Sequence, residues 1–412
     1  MDIRIAQGCP QCGAPVPFCE DDLLLTCPYC ATCNLVQCQG PSRLTLPLPP
    51  AAQQQGLLFA PYLRFKGTIY LISEAGIEHR VIDTTQAASP MPGLPASLGL
   101  RPQAMGVCRP DGLARHRYLP QTLRANAILE KAAAVGELLP ASTGGFFHRA
   151  YIGENLSYIY LPLEIDSGRL IDAITASPLT SLEDASEFVV QGKAYDDSWR
   201  VRFRAALCPH CGATLAGEGD CRVLPCGNCD SAWSVGAEGL TRVEWHLQQG
   251  GRDTTLYLPF WKITAHIPAL SIYSFADFIE RTNQPLLPRP RWRERAMSLW
   301  VPAIKLRPKI FLAAGRQATL GQWLLKTEPG HVVDHLHPVT LPASEARQAA
   351  KLMLAASTAS PQRIFPALPQ VRLTETMMQL VYLPCIDQGH DWVQPETNIA
   401  IAKNILRFGR SL

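Results

Sequence analysis

The stretch Leu207–Trp233, LCPHCGATLAGEGDCRVLPCGNCDSAW, holds two CxxC pairs, Cys208–Cys211 and Cys226–Cys229, with fourteen residues between them. A counterpart at 8–33, GCPQCGAPVPFCEDDLLLTCPYCATC, places Cys9 and Cys12 the same fourteen residues ahead of Cys27 and Cys30. Pro10 and Pro209 follow the first cysteine of each module. Gly13 and Gly212 follow the second, at a position where a left-handed backbone carries little strain. Alternating apolar residues lead in, Ile3 and Ile5 before one module and Val201 and Phe203 before the other, as expected of strands feeding a hairpin.

Paired CxxC turns place four sulfurs around one ion and direct backbone N–H groups toward them, which offsets the charge of four thiolates. Both segments resemble zinc ribbons, small β modules with paired CPxCG and CxxC knuckles. The resemblance implies two Zn²⁺, one held by Cys9, Cys12, Cys27 and Cys30 and one by Cys208, Cys211, Cys226 and Cys229. A closed four-thiolate site has no open position for substrate, so both ions are expected to be structural. The first module also carries Cys19, Cys33 and Cys38, and the run CPYCATC is similar to part of a ferredoxin-type ligand run without its following CxxxCP, which leaves an iron–sulfur or metal-handling role as an alternative. Cys221 is a comparable extra in the second module, while Cys108 and Cys385 read as small buried apolar residues.

The likeness between the two parts of the chain extends past the cysteines. LFAPYLRFKGTIYLI and LYLPFWKITAHIPAL follow the respective modules, with Pro61 and Pro259 near their starts. Leu-Arg-Pro recurs at 100–102 and 306–308, and Tyr-Leu-Pro at 160–162 and 382–384, in the same order. The separation grows from 199 residues at the cysteines to 222 at Tyr-Leu-Pro, as insertions in the second copy would produce. The expected architecture is therefore α+β and β-rich, in two tandem related halves. These comprise a ribbon at 1–45 with a β domain at 56–181, and a ribbon at 198–245 with a β domain at 253–412. Proline cannot donate to a ladder, so the Tyr-Leu-Pro strands are expected to begin at the proline or to lie at a sheet edge. The seam between halves is the expected place for a groove.

Helices are predicted over Gln121–Leu138, in SFADFIERTN with Ser274 as its cap, and over Ala343–Ala356. Leu46–Gly56 and Leu182–Asp197 read as linkers, and 89–99 as a proline-punctuated loop. The 35 prolines spread along 412 residues favour short strands and turns over long helices.

Chemistry elsewhere is sparse. RPRWRERAMSLWVPAIKLRPK, 289–309, holds seven basic residues and one acid. Arg289, Arg291, Arg293, Arg295, Lys305, Arg307 and Lys309, with Trp292, offer contacts to nucleic acid or to an acidic partner. His331, Asp334, His335 and His337 lie close in sequence but lack a partner ligand in the other half, so they read as a polar loop. No GxxxxGK[ST], GxGxxG after a strand, GxSxG or HExxH occurs, and no catalytic residue is expected. A net charge of +3 and 18% charged residues do not mark a dedicated nucleic-acid binder. The start lacks a secretory leader and no apolar run suffices for a membrane span, so a cytoplasmic location is expected. These observations favour a non-enzymatic scaffold or adaptor that binds a protein partner or larger assembly, with nucleic-acid binding as the alternative.

Overall fold

The computed structural model describes residues 4–48, 56–110, 116–122, 145–236 and 239–408. Strand exceeds helix by 41% to 18%, which makes the chain an α+β protein rich in β. Each of two seven-stranded sheets is built on a pair of long antiparallel strands. In the first sheet Leu58–Ser73 pairs with His148–Asp166, and in the second Thr254–His266 pairs with Thr374–Gln388. All of Leu58–Ser73 is buried, which accounts for a sequence without polar alternation. One face, through Leu58, Ala60 and Tyr62, packs on Ile5, Val16 and Phe18 of the first cysteine module. The other, through Phe59, Leu63 and Phe65, meets Tyr118, Tyr158 and Tyr160.

The two strand pairs share their register. Pro61 lies opposite Tyr160 in the first sheet and Pro259 opposite Tyr382 in the second, and Phe59 opposite Pro162 corresponds to Tyr257 opposite Pro384. Short parallel strands flank both pairs, Ser42–Thr45 beside Ser157–Tyr160 and Trp245–Leu247 beside Leu380–Tyr382. Even single hydrogen bonds correspond. The Ala88 N–H donates to Pro61 O and the Ala303 N–H to Pro259 O, both at 2.9 Å, and Leu119 and His337 donate to Phe59 and Tyr257 at the same distance.

The Tyr-Leu-Pro strands neither begin at proline nor lie at an edge. Both run through the middle of their sheets, and the prolines occupy gaps in the neighbouring strands. Outside His148–Asp166, pairing with Ser42–Thr45 stops at Tyr160 and pairing with Arg169–Asp172 starts at Leu163, so no partner strand faces Pro162 on that side. Because Phe59 spends its own carbonyl on Leu119, the Phe59–Pro162 pair makes no ladder bonds and the missing N–H falls in the gap. Pro384 sits in the same way between the Trp245–Leu247 strand, which ends opposite Tyr382, and the Asp391–Gln394 strand, which starts opposite Ile386.

The largest core spans both sheets. The helix Ala343–Ala356 buries Ala346, Ala349, Ala350 and Met353, an i, i+3, i+4, i+7 stripe, in one cluster with Tyr70, Ile72, Ala150 and Ile152 of the first sheet. At its first turn the buried Glu345 carboxylate accepts from the Gly153 N–H. The seam, where the sequence predicts a groove, encloses a cavity of ≈ 20 Å³ lined in part by Tyr70, Ile152, Lys305 and Leu341, about the room one water needs.

Ser274 caps Phe275–Arg281 in a reciprocal box with Asp277, as its sequence predicts. Residues 123–138 of the helix expected over Gln121–Leu138 lie outside the described residues. The segment 182–197 carries a helix, Ser186–Gln191, and a bridge from Lys193 to Tyr118, with Ala185 fully buried.

Candidate metal centres

The two modules fold alike around their cysteines. The strands Leu24–Thr26 and Cys33–Gln37 pair so that Leu24 faces Leu35, and Val223–Pro225 pairs with Ala232–Gly236 so that Val223 faces Ser234. In each of the four knuckles the first cysteine donates its N–H to the carbonyl five residues on and accepts from the N–H four residues on. The pairs are Cys9 with Ala14 and Gly13, Cys27 with Thr32 and Ala31, Cys208 with Ala213 and Gly212, and Cys226 with Ser231 and Asp230. The position four residues on is left-handed in every case, at φ 77° for Gly13, 56° for Ala31, 76° for Gly212 and 57° for Asp230. Glycine fills two of the four, as expected from the sequence, and the loop closure overrides the preference in the other two.

These turns converge the sulfurs. Cys9 and Cys30 are 3.7 Å apart, as are Cys12 and Cys27, and Cys208–Cys229 and Cys211–Cys226 are 3.7 and 3.6 Å. A tetrahedron of Zn–S bonds of about 2.3 Å has edges of about 3.8 Å. Within each set the four sulfurs lie within 4.8 Å of one another, and these are the two groups of metal-ligating side chains so arranged among the described residues. Cys9, Cys27, Cys208 and Cys226 are buried and their mates lie nearer solvent. The donor sets thus fit one tetrahedral ion each.

The thiols within each set differ in acidity. The Thr32 hydroxyl and N–H pull Cys30 down to about 6, and the Ser231 hydroxyl with the His210 ring pulls Cys229 down to about 5. Although an Ala14 N–H favours the Cys12 thiolate, burial and hydrogen bonds with Cys27, Cys30 and Cys9 push Cys12 up to about 12. Burial, with the neighbouring Cys211 and Cys229 thiols, raises Cys226 to about 11. Four sulfurs at contact distance cannot all ionise without a central cation.

Sequence reasoning missed the hydroxyls. Ser231 Oγ lies 3.0 Å from Cys229 Sγ and 3.4 Å from Cys208 Sγ and accepts from Trp233 Nε1 at 2.8 Å. Thr32 Oγ1, at the matching position, lies 3.1 Å from Cys30 Sγ. The signal was a hydroxyl residue two places after the last cysteine of each module. Among the extra cysteines, Cys33 and Cys221 are buried in the core shared by the two modules and burial raises Cys221 to about 12. Cys385 is likewise buried and raised to about 12.

No family model, curated protein or solved structure matches this chain.

The basic stretch does not form one surface. Trp292 and Trp300 are core residues, 3% and 2% exposed, and Arg289 lies over Trp292 and Trp323 at 5.4 and 4.8 Å. Arg293 pairs with Glu280 at 2.9 Å and Arg295 donates to the Gln322 carbonyl. Lys305 is turned inward, 3.1 Å from Asp21 of the first module. Arg291, Arg307 and Lys309 remain exposed. In the histidine segment, the His337 ring shares a 2.9 Å hydrogen bond with the Pro338 carbonyl and burial lowers its pKa, while His331 and His335 are exposed. No helix among the described residues is long and apolar enough to cross a membrane.

Proposed function

We propose that the chain is a non-enzymatic scaffold with two structural Zn²⁺ ions and two related halves, which presents its cysteine modules to a protein partner or assembly. The observation that carries this reading is the joining of the modules into one body. The strand Arg202–Ala205, leading into the second module, adds to Cys33–Gln37 of the first, with Phe203 opposite Val36. Leu24 and Leu35 of one module share a core with Leu215, Leu224 and Trp233 of the other. Both ions thereby stiffen one platform and leave no coordination site for chemistry. The matched strand registers and flanking hydrogen bonds support a duplication in which each half contributes one module.

On this platform the knuckle tips point outward. Tyr29, between Cys27 and Cys30, is 69% exposed, a large amphipathic ring of the kind that anchors interfaces. Binding through 289–309 has weaker support, because its two tryptophans are spent in the core. An iron–sulfur cluster has weaker support than a single ion, because its bridging sulfides would separate the thiolates beyond the observed contacts.

The test combines metal analysis with partner capture from native extract. Two zinc ions per chain and a stoichiometric co-purifying protein, lost on Tyr29→Ala with metal retained, are expected. A chain that purifies alone while turning over a metabolite, or absorbs visible light as an iron centre does, overturns the reading.

A further inference from the structure

The strand that joins the two modules has a second face. Val201 and Phe203 turn inward against the core that carries Cys9 and Cys27. Arg202 and Arg204 are exposed about 6.6 Å apart on the strand, and Arg200, exposed as well, precedes them in extended backbone. Gln37, the strand partner of Arg202, and Cys38, Gln39 and Gly40 after it line a groove of ≈ 340 Å³ together with these arginines. A second basin of ≈ 190 Å³ shares Arg200 with the groove and lies on the Val201 and Phe203 side of the segment, its walls including Arg43, Arg109, Tyr195 and Trp199.

Five arginines and no lysine line the groove and the basin between them. Two acids lie nearby. Asp197 is 4.0 Å from Arg200 with both side chains exposed, and Asp196 is occupied in accepting from the Ser198 N–H at 2.8 Å. No described carboxylate pairs with Arg43, Arg109, Arg202 or Arg204. Arg109 is held instead over Phe18 and Phe203 at 5.2 and 5.9 Å, and its Nε, shielded from solvent, has no hydrogen-bond partner. Gln37, 6% exposed and paired in the ladder with Arg202, leaves its side-chain amide nitrogen unpartnered beside the row. The Arg43 guanidinium lies over the Trp199 ring at 4.7 Å, its Nη1 tied to the Gln39 carbonyl at 3.1 Å. A half-buried guanidinium without an anion and a buried amide without an acceptor are costly unless something supplies the missing partner.

We infer that this groove binds single-stranded nucleic acid, with phosphates along the Arg200, Arg202 and Arg204 row and bases against Tyr195 and the outer face of the Arg43 guanidinium. Arginine forks grip phosphate oxygens in pairs and their planes stack on bases, which suits guanidinium better than ammonium to both tasks. The row repeats at an interval comparable to that of phosphates in an extended single strand. An acidic peptide would meet the arginines equally well, but it has no use for the flat platform that Trp199 holds in place. This inference is separate from the scaffold reading and uses none of the 289–309 residues.

Fluorescence anisotropy with the full-length, metal-loaded protein tests it, using labelled oligo(U) of roughly sixteen nucleotides at roughly 50 to 200 mM salt. The triple variant R200E/R202E/R204E is expected to bind at least about tenfold more weakly at the lower salt, and to flatten the slope of log K against log salt by about 2, from three phosphates at about 0.7 each. The charge-matched variant R291E/R307E/K309E is expected to bind as the unaltered chain does. Should R200E/R202E/R204E lose its two metal ions, R200Q/R202Q/R204Q carries the test, with a smaller loss in the same direction. The inference is overturned by absence of binding at the lower salt, by an equal loss in the two charge-reversed variants, or by polyglutamate displacing the oligonucleotide as effectively per charge as unlabelled oligo(U).

Discussion

The strands Cys33–Gln37 and Ala232–Gly236 hold the same place in the two cysteine modules, yet they obtain their third strand from different sources. The second module supplies its own, Gly239–Val243, which follows directly in sequence. The first takes Arg202–Ala205 from far along the chain. The second module therefore holds all three strands of its own sheet, while the first is completed only by a strand from the second half. A buried ionic array reinforces the dependence. Arg64 of the first sheet meets Glu20 and Asp83, and Asp21 beside it, held below the usual carboxylate range by Lys305 and Lys66, ties the first module to the second half. Two segments with the same cysteine spacing thus differ in what they need from the rest of the protein.

The largest test of that asymmetry is removal of each ion in turn. C208S/C226S and C9S/C27S should each lower bound metal from two ions to one. Because structural zinc contributes on the order of 10 kcal/mol to folding of small modules, each loss is comparable to the stability of a whole domain. The two are not expected to behave alike. Loss of the second site frees the strand that completes the first, so the remaining ion should pass to a chelator about tenfold faster, whereas loss of the first should leave the second nearly unchanged. Equal release rates would break the comparison.

A smaller effect distinguishes glycines that hold open space from those that hold closeness. A Cβ at Gly315 would lie 2.2 Å from Met353 Sδ and 2.9 Å from the Trp300 carbonyl, where the Pro308–Gly321 helix crosses the sheet. Gly315→Ala is expected to cost about 2 kcal/mol by urea unfolding. Gly212→Ala meets nothing within 4 Å but must adopt φ +76°, and about 1 kcal/mol is expected. The reverse order would place the weak point in the knuckle and not at the crossing.

The hydroxyls give a finer measure of the same contrast. Ser231 serves Cys229, Cys208 and Trp233, while Thr32 serves Cys30. Ser231→Ala should cost about 1.5 kcal/mol and Thr32→Ala about half of that, read from denaturant midpoints of the metal-loaded chain. An effect of similar size lies at the seam. Burial lowers His148 to about 4, with Lys351 adding to the depression and the Gln348 backbone opposing it. A base whose folded pKa lies below its unfolded value binds fewer protons when folded, so stability falls as pH drops from about 6.5 toward 4. With His148 partly exposed, the loss is on the order of 1 kcal/mol. His148→Gln should flatten that part of the stability profile, and an unchanged profile would remove the seam as the acid-sensitive joint.

Much of this architecture was legible in the order of residues. The cysteine spacing determined which eight sulfurs meet, because a CxxC turn is local and four knuckles repeat one hydrogen-bond pattern. The apolar words marked the four central strands, but the proline in two of them pointed to a strand start or a sheet edge where the structure has neither. Ser274 and Ala343 marked helix starts through caps and helix-forming runs. The sequence also carried the alternation of arginine with Val201 and Phe203, but only the tertiary neighbours Gln37, Cys38, Gln39 and Gly40 turn that alternation into a groove. Tertiary structure alone decided that Trp292 and Trp300 belong to the core, that Lys305 turns inward to Asp21, that Pro162 and Pro384 sit mid-sheet in gaps, and that one module borrows its last strand. Each of these depends on which distant segment fills the space beside a residue, and pairing across such separations is set by the fit of whole surfaces, which no local spacing encodes.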